Sequence, residues 1–293
     1  MKLGRTEETI SSVAYGAMRL SLEGRPETSV AEGVIEAALD AGIKLVDTAD
    51  VYCRKDEELG HNERLVARVL RRRADRDRIR VATKAGLRHS GSAWIRDGSP
   101  KHIRESCERS LRSLGVDRLF LYQLHAVDGH VLFESTIEAL AGLQREGKCA
   151  HIGLSNVMVD HIERASRIVD VASVQNRLSP YYRESIGGGV VAACERRGIT
   201  FLAYRPVGGH CLTAKLRELG SLRDVAARRG ISPHRVALAW VRGKGRTVVP
   251  LVGATTIEHV TDSARAADLT LDDDEMRAID EAQWLGDKRF YPL

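Results

Sequence analysis

The chain lacks any apolar run that approaches the ~20 residues a membrane-spanning helix needs. Its N-terminus, MKLGRTEETI, lacks the apolar core of a signal peptide, and no proline- or serine-rich linker or low-complexity tract interrupts the sequence. These absences argue against a membrane protein and against flexibly linked modules. We therefore predict one soluble domain over residues 1–293, located in the cytoplasm and without a membrane partner.

Paired cysteines are a second absence. Five cysteines occur, at Cys53, Cys107, Cys149, Cys194 and Cys211, and no two of them form a C-x-x-C pair. An odd number at these wide spacings argues against a secreted disulfide framework, and a structural zinc site has no better support. We predict that most of them are small buried hydrophobic residues and that the protein has no metal site.

A clustered basic face is also missing, although the net charge is +5. The densest basic stretch, RRRADRDRIR at 71–80, contains two aspartates and no aromatic residue. Nucleic-acid-binding surfaces need clustered cations, and many add aromatic side chains for stacking on bases. We interpret the stretch as a solvated helix end and loop, and we predict no nucleic-acid partner.

What the sequence does contain is a repeated unit, in which a short β-branched run precedes an amphipathic helical pattern. Strands are predicted at 13–17, 44–47, 79–83, 119–123, 151–154, 172–175, 200–204 and 247–252. Helices are predicted at 29–41, 103–114, 133–144, 186–197, 222–229, 233–241 and 257–267. Residues 2–12 predict a short N-terminal hairpin that plugs the bottom of the fold, and a further helix is expected at the C-terminal end.

Eight strands with roughly 30-odd residues per unit predict an α/β fold of the (β/α)8 TIM-barrel type. The alternative is a doubly wound open sheet, which usually carries a G-x-G-x-x-G turn after its first strand. No such turn stands there in this sequence. In a barrel, functional side chains lie at the C-terminal ends of the strands, so the polar residues just past each strand are the candidates for a site.

Three consecutive strand ends carry a consistent set of side chains: Asp47 and Tyr52, then Lys84, then His125. Each alone has an ordinary structural explanation, but together they suit proton transfer to a carbonyl oxygen. Tyr52 can donate the proton, Lys84 is expected to lower its pKa, and Asp47 can keep Lys84 charged. A neutral His125 can orient the carbonyl oxygen. No side chain supplies hydride, so a nicotinamide cofactor is implied.

Later strand ends predict the cradle of that cofactor. Ser155, Asn156 and Gln175 offer the hydroxyl and amide groups that a nicotinamide carboxamide requires, and the ring of Tyr204 can stack on the nicotinamide. The following glycines, beginning at Gly208, permit close approach of the backbone to a pyrophosphate. Strand eight leads through GATT at 253–256 into a helix whose N-terminus can bind an anion.

At these residues the sequence resembles the aldo-keto reductases over essentially its whole length. The motifs that carry the resemblance are DTADVY, GHNERLV, LYQLH, GKCAHIGLSN, VQN and YRPVGG. The resemblance implies NAD(P)H-dependent reduction of an aldehyde or ketone, with Asp47, Tyr52, Lys84 and His125 as the catalytic tetrad. LYQLH and VQNR look closest to bacterial branches that include pyridoxal-reductase-like enzymes.

The resemblance has three departures. Cys53 follows the catalytic tyrosine where many relatives have glycine, and Arg205, beside Pro206, replaces a usually small residue. Residues 248–263 contain no lysine or arginine to grip an adenosine 2′-phosphate, although Arg265 follows on the next turn. We keep NADPH as the expected cofactor, with NADH as the alternative. The cofactor-binding residues assigned after strands seven and eight are Arg205, Pro206, Gly208, Gly253, Thr255, Thr256, His259, Asp262 and Ser263.

Two other functions stay open at this point. A barrel aldolase would use Lys84 to form a Schiff base, and a regulatory or scaffold subunit would bind the nicotinamide with little turnover. The expected partner is a small-molecule carbonyl substrate, and the protein is expected to be a monomer or a small homo-oligomer. Trp94, Trp284 and Phe290 are candidate walls of the substrate pocket.

Overall fold

Eight parallel strands close into a barrel in the computed structural model, which describes residues 1–91, 93–209 and 212–282. The strands, in order around the barrel, are β1 (Ala14–Gly16), β2 (Leu45–Asp47), β3 (Arg80–Ala85), β6 (Leu119–Leu124), β7 (Cys149–Ser155), β8 (Val171–Arg177), β9 (Thr200–Tyr204) and β10 (Val248–Val252), which pairs with β1 again. The (β/α)8 prediction is confirmed, and the open-sheet alternative is wrong.

Helices connect the strands and cover the outside of the barrel. They are α1 (Thr28–Asp40), α2 (His61–Arg71), α3 (Pro100–Leu114), α4 (Phe133–Arg145), α5 (Val159–Ala165), α6 (Glu184–Gly187), α7 (Val190–Arg197), α8 (Gly220–Arg229), α9 (Pro233–Arg242), α10 (Ile257–Ala264) and α11 (Asp273–Glu281). The helix α11 is the predicted additional C-terminal helix. None of the helices in the described part of the chain is long and apolar enough to cross a membrane.

The helix predicted at 186–197 is wrong, because two helices stand there. Gly188 and Gly189 separate α6 from α7, and Gly189 has a φ of +74°, a left-handed backbone conformation that interrupts the helix. The helices α2 and α5 were not predicted. The sequence of α2 is mostly polar and charged, so its buried stripe of Leu65, Val66 and Val69 did not stand out.

The N-terminal segment closes the bottom of the barrel, as predicted. Lys2 and Thr9 pair as an antiparallel bridge, which forms the expected hairpin. Leu3 and Ile10 are buried against strand residues of the barrel interior. The backbone N–H of Gly4 donates to Oγ1 of Thr200 at 2.7 Å, at the point where β9 begins. The hairpin therefore fills the end of the barrel opposite to the one where the strands finish.

A second hairpin, β4 (Leu87–Ser90) paired with β5 (Ala93–Arg96), follows directly after β3 and was not predicted. In its register His89 faces Trp94, so the two side chains share one face of the hairpin. Nε2 of His89 lies 3.1 Å from the carbonyl oxygen of Val51, and the ring of Trp94 lies next to those of Tyr52 and His125. The hairpin therefore brings an aromatic side chain to the mouth of the barrel.

Candidate active site

The four side chains predicted as a catalytic set meet at the C-terminal end of the barrel. Asp47 ends β2, Lys84 lies near the end of β3, His125 follows β6, and Tyr52 stands on the loop after β2. The Nζ atom of Lys84 donates to Oδ1 of Asp47, and it lies 3.1 Å from the phenol oxygen of Tyr52. That oxygen lies 3.5 Å from Nε2 of His125. All four side chains are buried.

Lys84 is held as a buried cation. Burial acts to lower its pKa, but the charge of Asp47, the phenol of Tyr52 and their hydrogen bonds outweigh burial, so the pKa is raised. The carbonyl oxygen of Thr48 accepts a further bond from Nζ at 2.8 Å. Thr48 was not singled out from the sequence, because a backbone carbonyl gives no residue-type signal. Lys84 is therefore a charged, fully bonded ammonium group.

Burial and Lys84 have opposite effects on the pKa of Tyr52. Burial raises the pKa of Tyr52; the charge of Lys84 lowers it only in part, while Asp47 adds a smaller increase. The contribution of Lys84 thus has the sign expected from the sequence, but burial outweighs it and the net pKa is raised. The net pKa is raised because the free energy lost by removing the phenolate from water exceeds the stabilisation that one nearby ammonium group provides. Tyr52 therefore carries its proton at neutral pH, as a proton donor must.

His125 is a neutral imidazole. Burial and the charge of Lys84 both hold its pKa well below the usual range. Its Nε2 faces Tyr52, while its Nδ1 is buried and has no hydrogen-bond partner among the residues that the structure describes. A neutral ring at this position can donate to, or accept from, an oxygen placed beside Tyr52.

Two glutamine side chains complete the shell of Asp47. Its Oδ2 accepts from Nε2 of Gln123 at 3.1 Å and from Nε2 of Gln175 at 2.8 Å. Gln123 was missed from the sequence, although the period of two that places His125 inside the barrel places Gln123 there as well. Gln175 was predicted to bind the cofactor. Its amide nitrogen donates to Oδ2 of Asp47, whose other oxygen accepts from Lys84.

The other predicted carboxamide ligands lie beside His125. Nδ2 of Asn156 donates to the carbonyl oxygen of His125 at 2.9 Å, and the hydroxyl of Tyr204 donates to Oδ1 of Asn156 at 2.7 Å. The hydroxyl of Ser155 donates to the carbonyl oxygen of Gln175 at 2.8 Å. The structure thus brings the ends of β7, β8 and β9 together next to the tetrad.

The turn after β9 has a constrained backbone. Arg205 is exposed and has a φ of +51°, and Gly208 has a φ of +88°. A Cβ atom at Gly208 would lie 2.7 Å from Cβ of Leu212 and 2.8 Å from the ring of Tyr181. Glycine is therefore required at Gly208 by the protein's own packing. The side chain of Arg205 packs over Gly209. Pro206 is buried in the turn between them.

At the start of α10 the predicted residues have ordinary structural contacts. Thr256 caps the helix, and its hydroxyl accepts from the backbone N–H of His259 at 3.2 Å. Asp262 accepts from the guanidinium of Arg235 and from the hydroxyl of Ser232. Gly253 is exposed, Thr255 is half-buried and Ser263 is buried. Arg235 was missed because it comes from α9, well outside the stretch 248–263.

Trp94 forms one wall of the site. Its ring centroid lies 5.9 Å from that of Tyr52 and 6.4 Å from that of His125. Trp94 also lines a cavity of about 540 Å³ at the rim, together with Arg88, Ile95, Arg96, Asp128, Gly129 and His130. The other two predicted walls, Trp284 and Phe290, lie outside the described residues.

Cys53 is a buried thiol next to the site. Its Sγ lies 3.3 Å from Nε2 of His89. Burial, followed by the negative charge of Glu58, raises the pKa of Cys53 to about 12. The thiol is therefore protonated at neutral pH. Cys107, Cys149 and Cys194 are also free and buried, as predicted, and Cys211 lies outside the described residues.

The family model described as the aldo/keto reductase family matches residues 12–283. A probable aldo-keto reductase of Glycine max is 31% identical, in an alignment that covers 98% of this chain and 89% of that protein. The structure of a glycerol dehydrogenase from Gluconobacter oxydans has 26% identity and a TM-score of 0.85, and the match covers 96% of this chain and 94% of the other. An aldo-keto reductase from Bacillus halodurans in its holo form has 24% identity and a TM-score of 0.80, over 99% and 98% of the two chains.

These similarities agree with the geometry of the site. The family match spans nearly the whole barrel, and it includes the strand ends that carry the tetrad. The resemblance found in the motifs is thereby confirmed. The chain belongs to the aldo/keto reductase family, whose members are nicotinamide-dependent oxidoreductases of carbonyl compounds.

Proposed function

We propose that the protein reduces an aldehyde or ketone to an alcohol, with Tyr52 as the proton donor and NADPH as the cofactor. One observation carries the proposal. The phenol oxygen of Tyr52 lies between a charged ammonium, Nζ of Lys84, and a neutral imidazole, Nε2 of His125. A carbonyl oxygen that reaches this point meets an acid and a neighbouring imidazole at the same time.

Each residue has a distinct part in this chemistry. Tyr52 transfers its proton to the carbonyl oxygen as negative charge develops there, and the phenolate that forms is stabilised by Lys84. Asp47 keeps Lys84 charged and oriented. His125 holds the carbonyl oxygen in place by hydrogen bonding through its neutral ring. Bound nicotinamide supplies the hydride, which no side chain can provide.

The residues next to the tetrad suit a nicotinamide. Ser155, Asn156 and Gln175 place one hydroxyl and two amide groups at adjacent strand ends, and the ring of Tyr204 stands beside them. We propose that these amides and the hydroxyl hold the carboxamide and that Tyr204 stacks on the ring. Arg205, Pro206, Gly208 and the start of α10 (Gly253, Thr255, Thr256 and His259) are proposed to hold the phosphates, with Asp262 and Ser263 nearest the adenosine.

The aldolase alternative has less support. A lysine that forms a Schiff base must lose its proton and present a free amine. Lys84 instead has a raised pKa and bonds to Asp47, to the carbonyl oxygen of Thr48 and to Tyr52. These contacts favour a permanently charged lysine that acts on the neighbouring phenol.

A panel of aldehydes and ketones tests the proposed reaction. We expect NADPH absorbance to fall only when both protein and a carbonyl compound are present, with one alcohol formed per NADPH consumed. If the protein binds NADPH tightly but reduces no carbonyl compound, this result contradicts the proposal and favours the regulatory or scaffold alternative. Trapping of a substrate on Lys84 by borohydride would instead support the aldolase.

The cofactor proposal rests on Arg235, which lies beside Asp262 and brings a guanidinium near α10. We expect Arg235→Gln to raise the Kd of NADP⁺ by at least about tenfold, because a 2′-phosphate loses a charge-assisted bond, and to change the Kd of NAD⁺ far less. Isothermal titration of the wild type and the variant measures both constants.

Asp262→Asn is the matched control for this prediction. It leaves Arg235 positively charged but removes the carboxylate that competes for it, so NADP⁺ is expected to bind more tightly. Equal effects of Arg235→Gln on the two cofactors would show that this guanidinium does not select the phosphate. Preference of the wild-type protein for NADH would overturn the choice of NADPH.

A further inference from the structure

The first turn of α2 contains the GHNER motif, for which the proposed reaction has no use so far. Two consecutive side chains of this turn accept hydrogen bonds from residues next to Asp47 and Lys84. Oδ1 of Asn62 accepts from the hydroxyl of Thr48 at 2.6 Å. Oε1 of Glu63 accepts from the hydroxyl of Thr83 at 2.6 Å. All four side chains are fully buried. We call this pair of contacts the α2 clamp.

The two threonines flank the central ion pair of the tetrad. Thr48 follows Asp47 directly and gives its carbonyl oxygen to Lys84 Nζ, whereas Thr83 directly precedes Lys84 in β3. The clamp therefore holds one residue next to each member of the pair. Because Asn62 and Glu63 are adjacent, a single turn of α2 contacts both the end of β3 and the start of the loop that carries Tyr52.

The same helical turn also holds that loop at a third point. The backbone N–H of Gly60 donates to the carbonyl oxygen of Asp50 at 2.7 Å, two residues before Tyr52. Gly60 has a φ of +78°, and a Cβ atom there would lie 2.2 Å from Oγ of Ser113. Only glycine therefore allows α2 to begin this close to α3 and to the loop.

Behind the clamp, two buried carboxyl groups face a single cation. Asp50 and Glu63 are both fully buried, and Nη2 of Arg109 donates to Oδ2 of Asp50 at 2.9 Å. Oδ1 of Asp50 and Oε2 of Glu63 have no hydrogen-bond partner within the described part of the chain. Two carboxylates and one guanidinium would leave a net negative charge in the interior, which is costly. One proton bound to one of the two carboxyl groups removes that charge.

The surroundings of the pair favour this protonation. Burial, followed by the charge of Asp50, raises the pKa of Glu63 to about 7. Burial also raises the pKa of Asp50, against the opposing charge and hydrogen bond of Arg109 and a smaller opposing effect of the imidazole of His102. The remaining groups that face the pair are the hydroxyls of Thr83 on β3, Ser106 and Ser110 on α3, and Tyr122 on β6.

We propose that Asn62 and Glu63 are positioning residues, which set the contact of Lys84 with Asp47 and Tyr52 through Thr48 and Thr83, and that Asp50 and Glu63 together hold one proton. This inference rests on the proposed function for its kinetic consequence, but its structural consequence can be measured without turnover. Misplacement of catalytic groups by about 1 Å can cost on the order of a hundredfold in rate.

Isosteric variants test the clamp. We expect Thr48→Val and Thr83→Val each to lower kcat by about tenfold, with KM for the carbonyl compound and Kd for the cofactor within about twofold. Thr200→Val is the matched control, because it removes a buried hydroxyl that accepts from Gly4 at 2.7 Å at the opposite end of the barrel. The control is expected to lose comparable thermal stability and to keep its kcat.

Hydrogen exchange separates this inference from the proposed function. In the cofactor-free protein, Thr48→Val is expected to speed exchange of the backbone amides of Tyr52 and Cys53, and Thr200→Val is not. Faster exchange in a protein that reduces no carbonyl would keep the clamp and reject the proposed reaction. Unchanged exchange and unchanged kcat in both Thr48→Val and Thr83→Val, with a loss of stability like that of Thr200→Val, would reject the clamp.

The shared proton has its own test in Glu63→Gln, which keeps an oxygen that can accept from Thr83 but cannot ionise. Glu63 has a folded pKa of about 7 and an ordinary value of 4.5, so its stabilising contribution is complete below 4.5 and is lost as pH rises through 7. The thermal midpoint of the wild type is therefore expected to fall relative to that of Glu63→Gln over this window. A constant difference between the two proteins would show that Glu63 holds no such proton.

Discussion

We expect Tyr52→Phe to lower kcat for carbonyl reduction by about 10²–10⁴ and to leave the Kd of the cofactor within about twofold. Phenylalanine keeps the ring that packs against Trp94 and His125 but removes the oxygen that lies between Lys84 and His125. The loss therefore falls on the step that transfers the proton. Single-turnover measurements with NADPH and a reactive aldehyde separate that step from cofactor binding.

Tyr122→Phe is the control for this prediction. Tyr122 is also fully buried, and its hydroxyl donates to the carbonyl oxygen of Ile103 at 2.9 Å, on the outer side of the barrel wall. The control loses a buried hydrogen bond of the same chemistry, so it is expected to lose stability and to keep its kcat. If Tyr52→Phe retains full turnover, the assignment of the proton donor is wrong.

Lys84→Met is expected to affect both stability and chemistry. Lys84 is fully buried, and its removal leaves the carboxylate of Asp47 buried without its cation. Breaking a buried ion pair by removal of one partner costs about 3–5 kcal/mol. Chemical denaturation measures this loss. The double variant Asp47→Asn with Lys84→Met removes the stranded charge, so it is expected to regain much of the stability and none of the activity.

The pH profile of Lys84→Met gives the sign of the electrostatic effect. Lys84 lowers the pKa of Tyr52, and burial raises it by more. Loss of Lys84 raises this pKa further, so the remaining activity persists to a higher pH before Tyr52 ionises, while its maximum falls. A profile of kcat/KM against pH reports the free protein. An alkaline limb that moves to lower pH would contradict the role of Lys84 as a neighbouring cation.

Much of the fold could be predicted because its signals are local. The strand at 200–204 coincides with β9, and the other predicted strands differ from the observed ones by at most two residues at either end. The helix predicted at 186–197 is interrupted at Gly189. Its positive φ could not be predicted, because it depends on the packing around this residue. The β4–β5 hairpin escaped prediction, since its four-residue strands alternate buried and exposed side chains too briefly to stand out.

The candidate site was predictable to the extent that it lies at strand ends. Asp47, Lys84 and His125 were assigned from their places after apolar runs, and the structure brings them together with Tyr52. Gln123 joins Asp47 from the inside of β6, where only the closed barrel shows which strands face one another. The net direction of the Tyr52 pKa could not be predicted from the sequence, because the degree of burial is a property of the packed molecule.

The sequence by itself determined the barrel, the family and the residue types of the tetrad, because strand period, turn residues and motif spacing are written within short stretches of chain. Only the tertiary structure decided which distant residues support them. Asn62 and Glu63 meet Thr48 and Thr83 because α2 packs against β2 and β3, and Arg235 meets Asp262 because α9 packs against α10. Contacts between elements depend on packing geometry, which short-range patterns do not encode.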